Sequence, residues 1–421
     1  MFGYASLLGN VLPPIPYISL GRSHRWQTKH STFEAVGADI YGTASIFPPA
    51  AYFTLADPVA IKQVSYPRNS FTKRTENYKI LKGFGSNLLV TEGEEWKRQR
   101  RIAAPAFSDK NNRLVWETAK GFVKQMISTW EDGKPTTVYD VSEDLALPLS
   151  LCVIAKAGFG QDISWNGHVA SSGNELTFQE ALSTASKTMH LPLLLPNWAW
   201  SLKKSWRDAK QAHDELRRYL HEMIRSRREL KDQQVQAFLD QKHDLFNQLI
   251  YARDADDMLT EDELIVVYET LRLYPMVSVM PKEATADTAI MVGFPANPRS
   301  IQIPTSTEIH VFSTGLHYNP NYWENPNDFD PERFMDPHWN RDAFIAFSLG
   351  PRACIGRRFA ETTLVADVVT LISKYKVSID ESRFKYVDGE TILERRARLI
   401  NLEERLTLSP APISLVFSPR D

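Results

Sequence analysis

Along the chain the spacing of apolar and polar positions switches between helical and extended patterns, and this predicts where elements lie. Ile46 to Leu55 is rich in apolar and aromatic residues around Pro48-Pro49, and Asp57-Pro58 precedes a helical stretch from Val59 to Val64. Strand, turn and helix are predicted there. Glu94 to Arg101 places acids first and bases after them, the order a helix dipole favours. Leu145 to Gly160 is an apolar run that predicts a buried helix ending at Gly158 and Gly160. His190 to Trp200 is the most apolar segment, but Pro192 and Pro196 bar a regular helix, which predicts a loop that needs a cover. Lys210 to Gln241 carries a narrow apolar stripe among charges and predicts a long, solvent-facing helix. Thr260-Glu261-Asp262-Glu263 is a capping-box signature, and Leu264, Val267, Tyr268 and Leu271 follow at spacings of three and four. One continuous helix running to Pro275 is predicted.

Composition narrows the function classes. The chain has 421 residues, 43% hydrophobic and 24% charged, with no linker or repeat to divide it. Its net charge of −2 gives the whole molecule no electrostatic attraction to nucleic acid. Two cysteines, Cys152 and Cys354, make no disulfide framework and fit a reducing compartment. Cys152, inside the apolar run from Leu145 to Ala155, reads as a core thiol.

The residues before Arg22 carry no charge, which suggests a membrane anchor, but Pro13, Pro14 and Pro16 interrupt the run. A spanning helix needs about 20 apolar residues. The segment also lacks the basic start and small-residue cleavage site of a signal peptide. Residues 1–45 are therefore expected to form a proline-rich N-terminal segment, and association with a membrane surface is expected at most.

Candidate chemistry centres on Phe347-Ser348-Leu349-Gly350-Pro351-Arg352-Ala353-Cys354-Ile355-Gly356. A cysteine between glycines just before a helical run places a sulfur where amide groups and the positive helix end stabilise a thiolate, a ligand for a soft metal. A buried core thiol is the competing reading. Trp96 and Arg100, four apart, share a helix face and offer an indole N–H beside a guanidinium. They make either a carboxylate clamp or one face of an amphipathic surface helix. Lys97, Arg98 and Arg101 point elsewhere, as a solvated face or a basic patch. Glu269 and Arg272, three apart, can pair on one face, as an ordinary surface bridge or a buried one. His310 and His317 are isolated and expected as surface groups. Gly83 and Gly85 lack the third glycine and the context of a dinucleotide loop, and no Walker loop, H-E-x-x-H or G-x-S-x-G is present.

Phe347, Gly350, Arg352, Cys354 and Gly356 form F-x-x-G-x-R-x-C-x-G, which resembles the haem-binding loop of the cytochrome P450 family, the haem-thiolate monooxygenases, here of the eukaryotic microsomal type. Glu269-Thr270-Leu271-Arg272 is similar to the family's E-x-x-R helix, and Pro331-Glu332-Arg333-Phe334 to its P-E-R-F element. The resemblance implies a mainly α fold with small β-sheets, incomplete around residues 265–267 where the distal central helix and the helices after it are missing, with residues 1–45 a remnant of the family's membrane anchor and proline-rich hinge and a single haem-thiolate domain over residues 46–421. It implies Cys354 as the axial ligand of haem b, whose thiolate favours O–O cleavage. Trp96, Arg100 and, more weakly, Lys282 become propionate contacts, while Glu269, Arg272 and Arg333 form a buried supporting network. Met276 to Met280 would line the pocket for an apolar substrate, and Leu406 to Phe417 resembles the terminal hairpin that touches it. The segment around His190 to Trp200 matches a loop that meets the membrane and gates entry. Electrons would come from NADPH through a partner reductase, at the cytosolic face of the endoplasmic reticulum.

One feature departs from the family. Members carry a long helix over the distal haem face with an A-G-x-[DE]-[TS] groove for dioxygen and proton delivery. Here Ile265 runs straight into Val266-Val267-Tyr268-Glu269, and the groove is missing. No catalytic residue is assigned for that reason. Two alternatives to a monooxygenase follow: a catalytically silent binder of haem or an apolar ligand, and a truncated product that retains no haem.

Overall fold

The computed structural model describes residues 15, 24–45, 50–66, 70–107, 109–161, 163–165, 175–189, 191–228, 261–293, 298–404 and 407–420. Thr260, His190, Leu406, Pro48-Pro49 and the 229–241 part of the predicted long helix lie outside them. Contacts divide the chain into two compact units. The first holds residues 1–77, 260–354 and 386–411, and the second 78–259, 355–385 and 412–421.

The first unit is built on a five-stranded sheet in the order Ile40–Ser45, Ala50–Leu55, Glu308–Phe312, Val279–Ala284, Phe71–Lys73. Ile40–Ser45 pairs antiparallel with Ala50–Leu55, Ile40 opposite Leu55. Ala50–Leu55 pairs parallel with Glu308–Phe312, Tyr52 opposite Glu308. All residues of Glu308–Phe312 are buried, as a central strand covered on both faces requires. Residues 40–45 are thus an edge strand, and Phe33 of the Ser31–Val36 helix sits in the core, so the folded unit begins before residue 46. The helix predicted after Asp57 is Pro58–Ser65. Proline stands in its first turn, and the Asp57 carboxylate accepts from the N–H of Ala60 at 2.9 Å and of Gly293 at 2.7 Å, which satisfies that buried acid.

The predicted helix after the capping signature is Glu261–Leu273. Leu264, Val267 and Leu273 are buried while Val266 is exposed, one apolar face as the spacing requires. The terminal hairpin lies earlier than expected. Leu402–Glu404 pairs with Leu408–Pro410, whereas Leu415–Pro419 belongs to a sheet of the second unit, with Thr136–Val138 and Tyr375–Ile379.

The second unit is helical. Its core joins Phe122 and Met126 of Asp109–Ile127, Leu149 and Cys152 of Leu147–Val153, Ala181 of Phe178–Lys187 and Leu216 of Lys204–Arg228. The run predicted from 145 starts at Val141, passes through π turns at both ends and closes with Gly160 at φ 67°. Burial holds the Cys152 thiol up at about 11, consistent with an inert core residue. On Lys204–Arg228 the buried positions Ala209, Ala212, Leu216, Tyr219 and Met223 recur at three and four residues, which is the predicted stripe. The apolar segment after 190 departs from a plain loop. It forms a helical turn, Leu191–Leu194, and a tighter turn, Asn197–Ser201, entered from Pro196. Proline supplies the fixed φ for a turn start while barring anything longer. Trp200 is buried there, but Trp198 and Leu202 are 70% and 66% exposed.

Candidate functional site

The cysteine loop is a backbone cradle within the first unit. The N–H groups of Ser348, Ala353 and Cys354 donate to the carbonyls of Ile345, Gly350 and Phe347 at 2.9, 2.9 and 2.8 Å. Two reversals make this possible, at Ser348 with φ 63° and Gly350 with φ 69°. At Gly350 glycine is required twice over, because a Cβ would also lie 2.6 Å from the Ser65 carbonyl oxygen. Gly356 differs. Its φ of −93° is open to any residue, and it stands just before the Arg357–Ile372 helix. Cys354 is exposed and Cys152 buried, so of the two thiols only Cys354 is presented to a ligand.

Behind the loop lies the predicted ion network, and it is buried. Glu269 and Arg272 are both 0% exposed. The Arg272 Nε and Nη2 donate to the two Glu269 oxygens at 2.6 and 2.7 Å, a bidentate pair. The remaining Arg272 hydrogens go to the carbonyls of His317 at 2.7 Å, Pro326 at 2.9 Å and Asp328 at 3.1 Å. Glu269 also accepts from the Asp330 N–H at 2.9 Å, and Arg333 Nε approaches it at 3.4 Å. A full set of hydrogen bonds is what makes such a pair tolerable without water.

The histidines correct the expectation of surface groups. His310 is 5% exposed and His317 0%. His310 is next to Glu308 at 3.0 Å and stacks on Tyr52. His317 Nε2 accepts from the Ile345 N–H at 2.9 Å, so the proton sits on Nδ1, which donates to the Arg272 carbonyl at 3.0 Å. Burial, with the Arg272 guanidinium adding to it, holds this imidazole down at about 3. The neutral ring thus joins the Glu261–Leu273 helix to Ile345, two residues before the cysteine loop, whose carbonyl accepts from the Ser348 N–H. Sequence offered one clue, the small and apolar run Ser313 to Leu316 before His317, all of it buried.

The other candidates fall as follows. Trp96 and Arg100 lie in the second unit on Gly93–Ala103, both half-buried, while Lys97, Arg98 and Arg101 on the same helix are exposed. This is the shared face that their spacing predicts. Phe347, Arg352 and Lys282 lie in the first unit, Phe347 and Arg352 half-buried and Lys282 buried in the strand Val279–Ala284. Met276 is exposed, and its carbonyl accepts from the N–H of Leu408, which brings the hairpin to the Met276–Met280 segment. Glu404 of the hairpin also accepts from the buried Ser278 hydroxyl.

The donor set that the described residues offer fits a haem. Among the described residues no group of three or more His, Cys, Asp or Glu could hold a metal. A lone presented cysteine suits a metal whose remaining ligands come from its own macrocycle.

Comparison with known proteins settles the class. The sequence profile described as Cytochrome P450 matches residues 44–266 and 264–400, two stretches that meet at the junction noted above. The chain belongs to the cytochrome P450 family. It is 34% identical over 479 residues to Cytochrome P450 monooxygenase 124 of Postia placenta, covering 96% of this chain and 90% of that one. It is 24% identical over 462 residues to Cytochrome P450 monooxygenase ORF6 of Penicillium roqueforti, covering 85% and 78%. Among solved structures it resembles the cytochrome P450DA heme domain, at a TM-score of 0.69, 17% identity and 97% coverage of both chains. The fold is that of the family, and the chain is a P450-type monooxygenase by this kinship.

Proposed function

We propose that this protein inserts one oxygen atom of dioxygen into an apolar organic substrate, with haem b held by Cys354 and electrons drawn from NADPH through a partner reductase. The observation that carries the reading is the cysteine loop: an exposed thiol on a cradle that admits only glycine at 350, braced through His317 and the Glu269–Arg272 pair. Haem bound there would supply dioxygen activation. The chain's own residues do the rest. Cys354 gives the thiolate, Trp96, Arg100 and Lys282 offer donors to carboxylates, and Phe347, Gly350, Arg352 and Gly356 shape the loop. Exposed Arg98 and Arg101 suit an acidic reductase surface. Exposed Trp198 and Leu202, four apart, suit the headgroup layer of a membrane such as that of the endoplasmic reticulum. No described helix is long and apolar enough to cross a membrane.

A second reading has its own support, namely that this form binds haem or an apolar ligand without turning over. Glu261–Leu273 continues across the junction as one helix, in a chain without the oxygen-binding groove. The alignment of 479 positions exceeds the 421 residues present, so it opens gaps in this chain. On Arg357–Ile372, Leu364, Val368 and Ile372 are 40%, 42% and 45% exposed at a spacing of four. An apolar stripe of that kind is what a helix leaves when its neighbour is removed. We read the gap as a shortened form that has lost the distal helix, and the further alternative is a product that never retains haem. Dioxygen uptake coupled to NADPH oxidation, with reductase added, separates enzyme from binder. Substrate-dependent uptake supports the monooxygenase, and a thiolate-haem spectrum without uptake supports the silent binder.

A further inference from the structure

We propose that the first unit carries a second binding site, sharing no residue with the cysteine loop, for a small carboxylate with an apolar body, gripped between Lys29 and Arg396. A cavity of about 390 Å³ lies there, within the usual range for small-molecule sites of about 300–1,000 Å³. Its walls include Trp26, Tyr274, Tyr318 and Leu402. The Lys29 ammonium sits 5.0 Å from the Trp26 ring centroid and 4.1 Å from that of Tyr318. Arg396, on the Ile392–Leu399 helix, donates to the carbonyl of Asn327. Among the described residues neither cation is paired with a carboxylate.

Glu394 also lines the cavity, but its oxygen is committed to its own helix. It accepts from the Thr391 N–H and hydroxyl at 2.8 Å each, closing a capping box. Two cations therefore share an aromatic cleft whose one lining carboxylate, Glu394, is engaged by its own helix and pairs with neither of them among the described residues. Burial, then Arg396, then Arg272 bring the Lys29 ammonium down to about 8. Tyr318 also faces Lys29, and its hydroxyl is committed to the Leu273 carbonyl at 2.8 Å. The Lys29 backbone is held at φ 47°, a conformation that L-residues hold at a cost and that concentrates at functional sites. The planar Arg396 fork matches a carboxylate, and the aromatic walls match an apolar body. A ligand of this class would relieve the repulsion and fill the cleft.

The test is calorimetric titration of the full chain with 2-naphthoate, 2-naphthamide and acetate. The expected result is that 2-naphthoate binds at least about tenfold tighter than the other two, one charge-assisted contact's worth. Lys29→Gln and Arg396→Gln should each weaken 2-naphthoate about tenfold while keeping the thermal unfolding midpoint. Wild-type affinity should be flat between about pH 6 and pH 8, where the ligand is ionised and Lys29 charged, and fall above pH 8, and Lys29→Gln should abolish the fall. Equal binding of the amide, or wild-type affinity in both variants, would overturn the assignment. A fall above pH 8 that survives Lys29→Gln would do the same.

Discussion

Arg272 and His317 are bonded to each other in both directions. The Arg272 guanidinium donates to the His317 carbonyl at 2.7 Å, and the His317 imidazole donates to the Arg272 carbonyl at 3.0 Å. Side chain and backbone are exchanged like a clasp, so neither residue can shift without breaking both bonds. Through Ile345, whose carbonyl accepts from the Ser348 N–H, the clasp reaches the cysteine loop, which converts a remote ion pair into a constraint on the segment that presents Cys354.

Replacing His317 with Leu strands the Arg272 carbonyl and the Ile345 N–H, each costing about 1–3 kcal/mol when buried without a partner. The melting temperature should fall, together with haem retention on a desalting column. A variant as stable as wild type contradicts the clasp.

The same residue sets an acid limit. The folded imidazole is held at about 3 while the unfolded one titrates near 6.5, so its contribution is complete above pH 6.5 and is lost as pH falls toward 3. The slope is at most about 1.4 kcal/mol per pH unit. Urea unfolding from pH 7 to pH 4 should show this slope in wild type and a shallower one in His317→Leu.

Glu269→Gln and Arg272→Met should each cost about 3–5 kcal/mol, because each leaves a buried partner uncompensated. The double variant should cost less than the sum. Additive effects, measured by chemical unfolding, would argue that the two charges are independent.

Asp367 makes an opposite prediction. It lies on Arg357–Ile372 with a buried oxygen that has no hydrogen-bond partner among the described residues, and desolvation lifts its carboxyl to about 7. With the folded value above the unfolded one, its contribution is complete below about pH 4 and declines as pH rises to 7. Asp367→Asn should therefore raise stability at pH 7.5 by about 2 kcal/mol and flatten that decline. Calorimetric melts across pH 4 to 8 measure both effects.

Much of this arrangement was legible in the sequence. Asp57-Pro58 announced its helix because capping is local, and the stripe through Ala209, Leu216 and Met223 shows as spacing. The pairing of Glu269 with Arg272 was readable for the same reason, although burial was known only through resemblance. His317 was missed because its partners, Arg272 and Ile345, are 45 and 28 residues away. The hairpin was misplaced because Leu415–Pro419 finds strands far from it in sequence, and register between distant strands leaves no local mark. Ser348 was missed as well. A non-glycine at φ 63° is set by the loop around it, not by its own preference.

The account stands on one sulfur atom. Cys354→Ser keeps the loop's shape and removes the thiolate, so the decisive measurement is the absorption spectrum of reduced, carbon-monoxide-treated protein, wild type beside variant. The expected outcome is a thiolate-type Soret band in the wild type and its loss in Cys354→Ser, with Cys152→Ser unchanged. An identical band in the Cys354→Ser protein, or none in the wild type, contradicts the assignment.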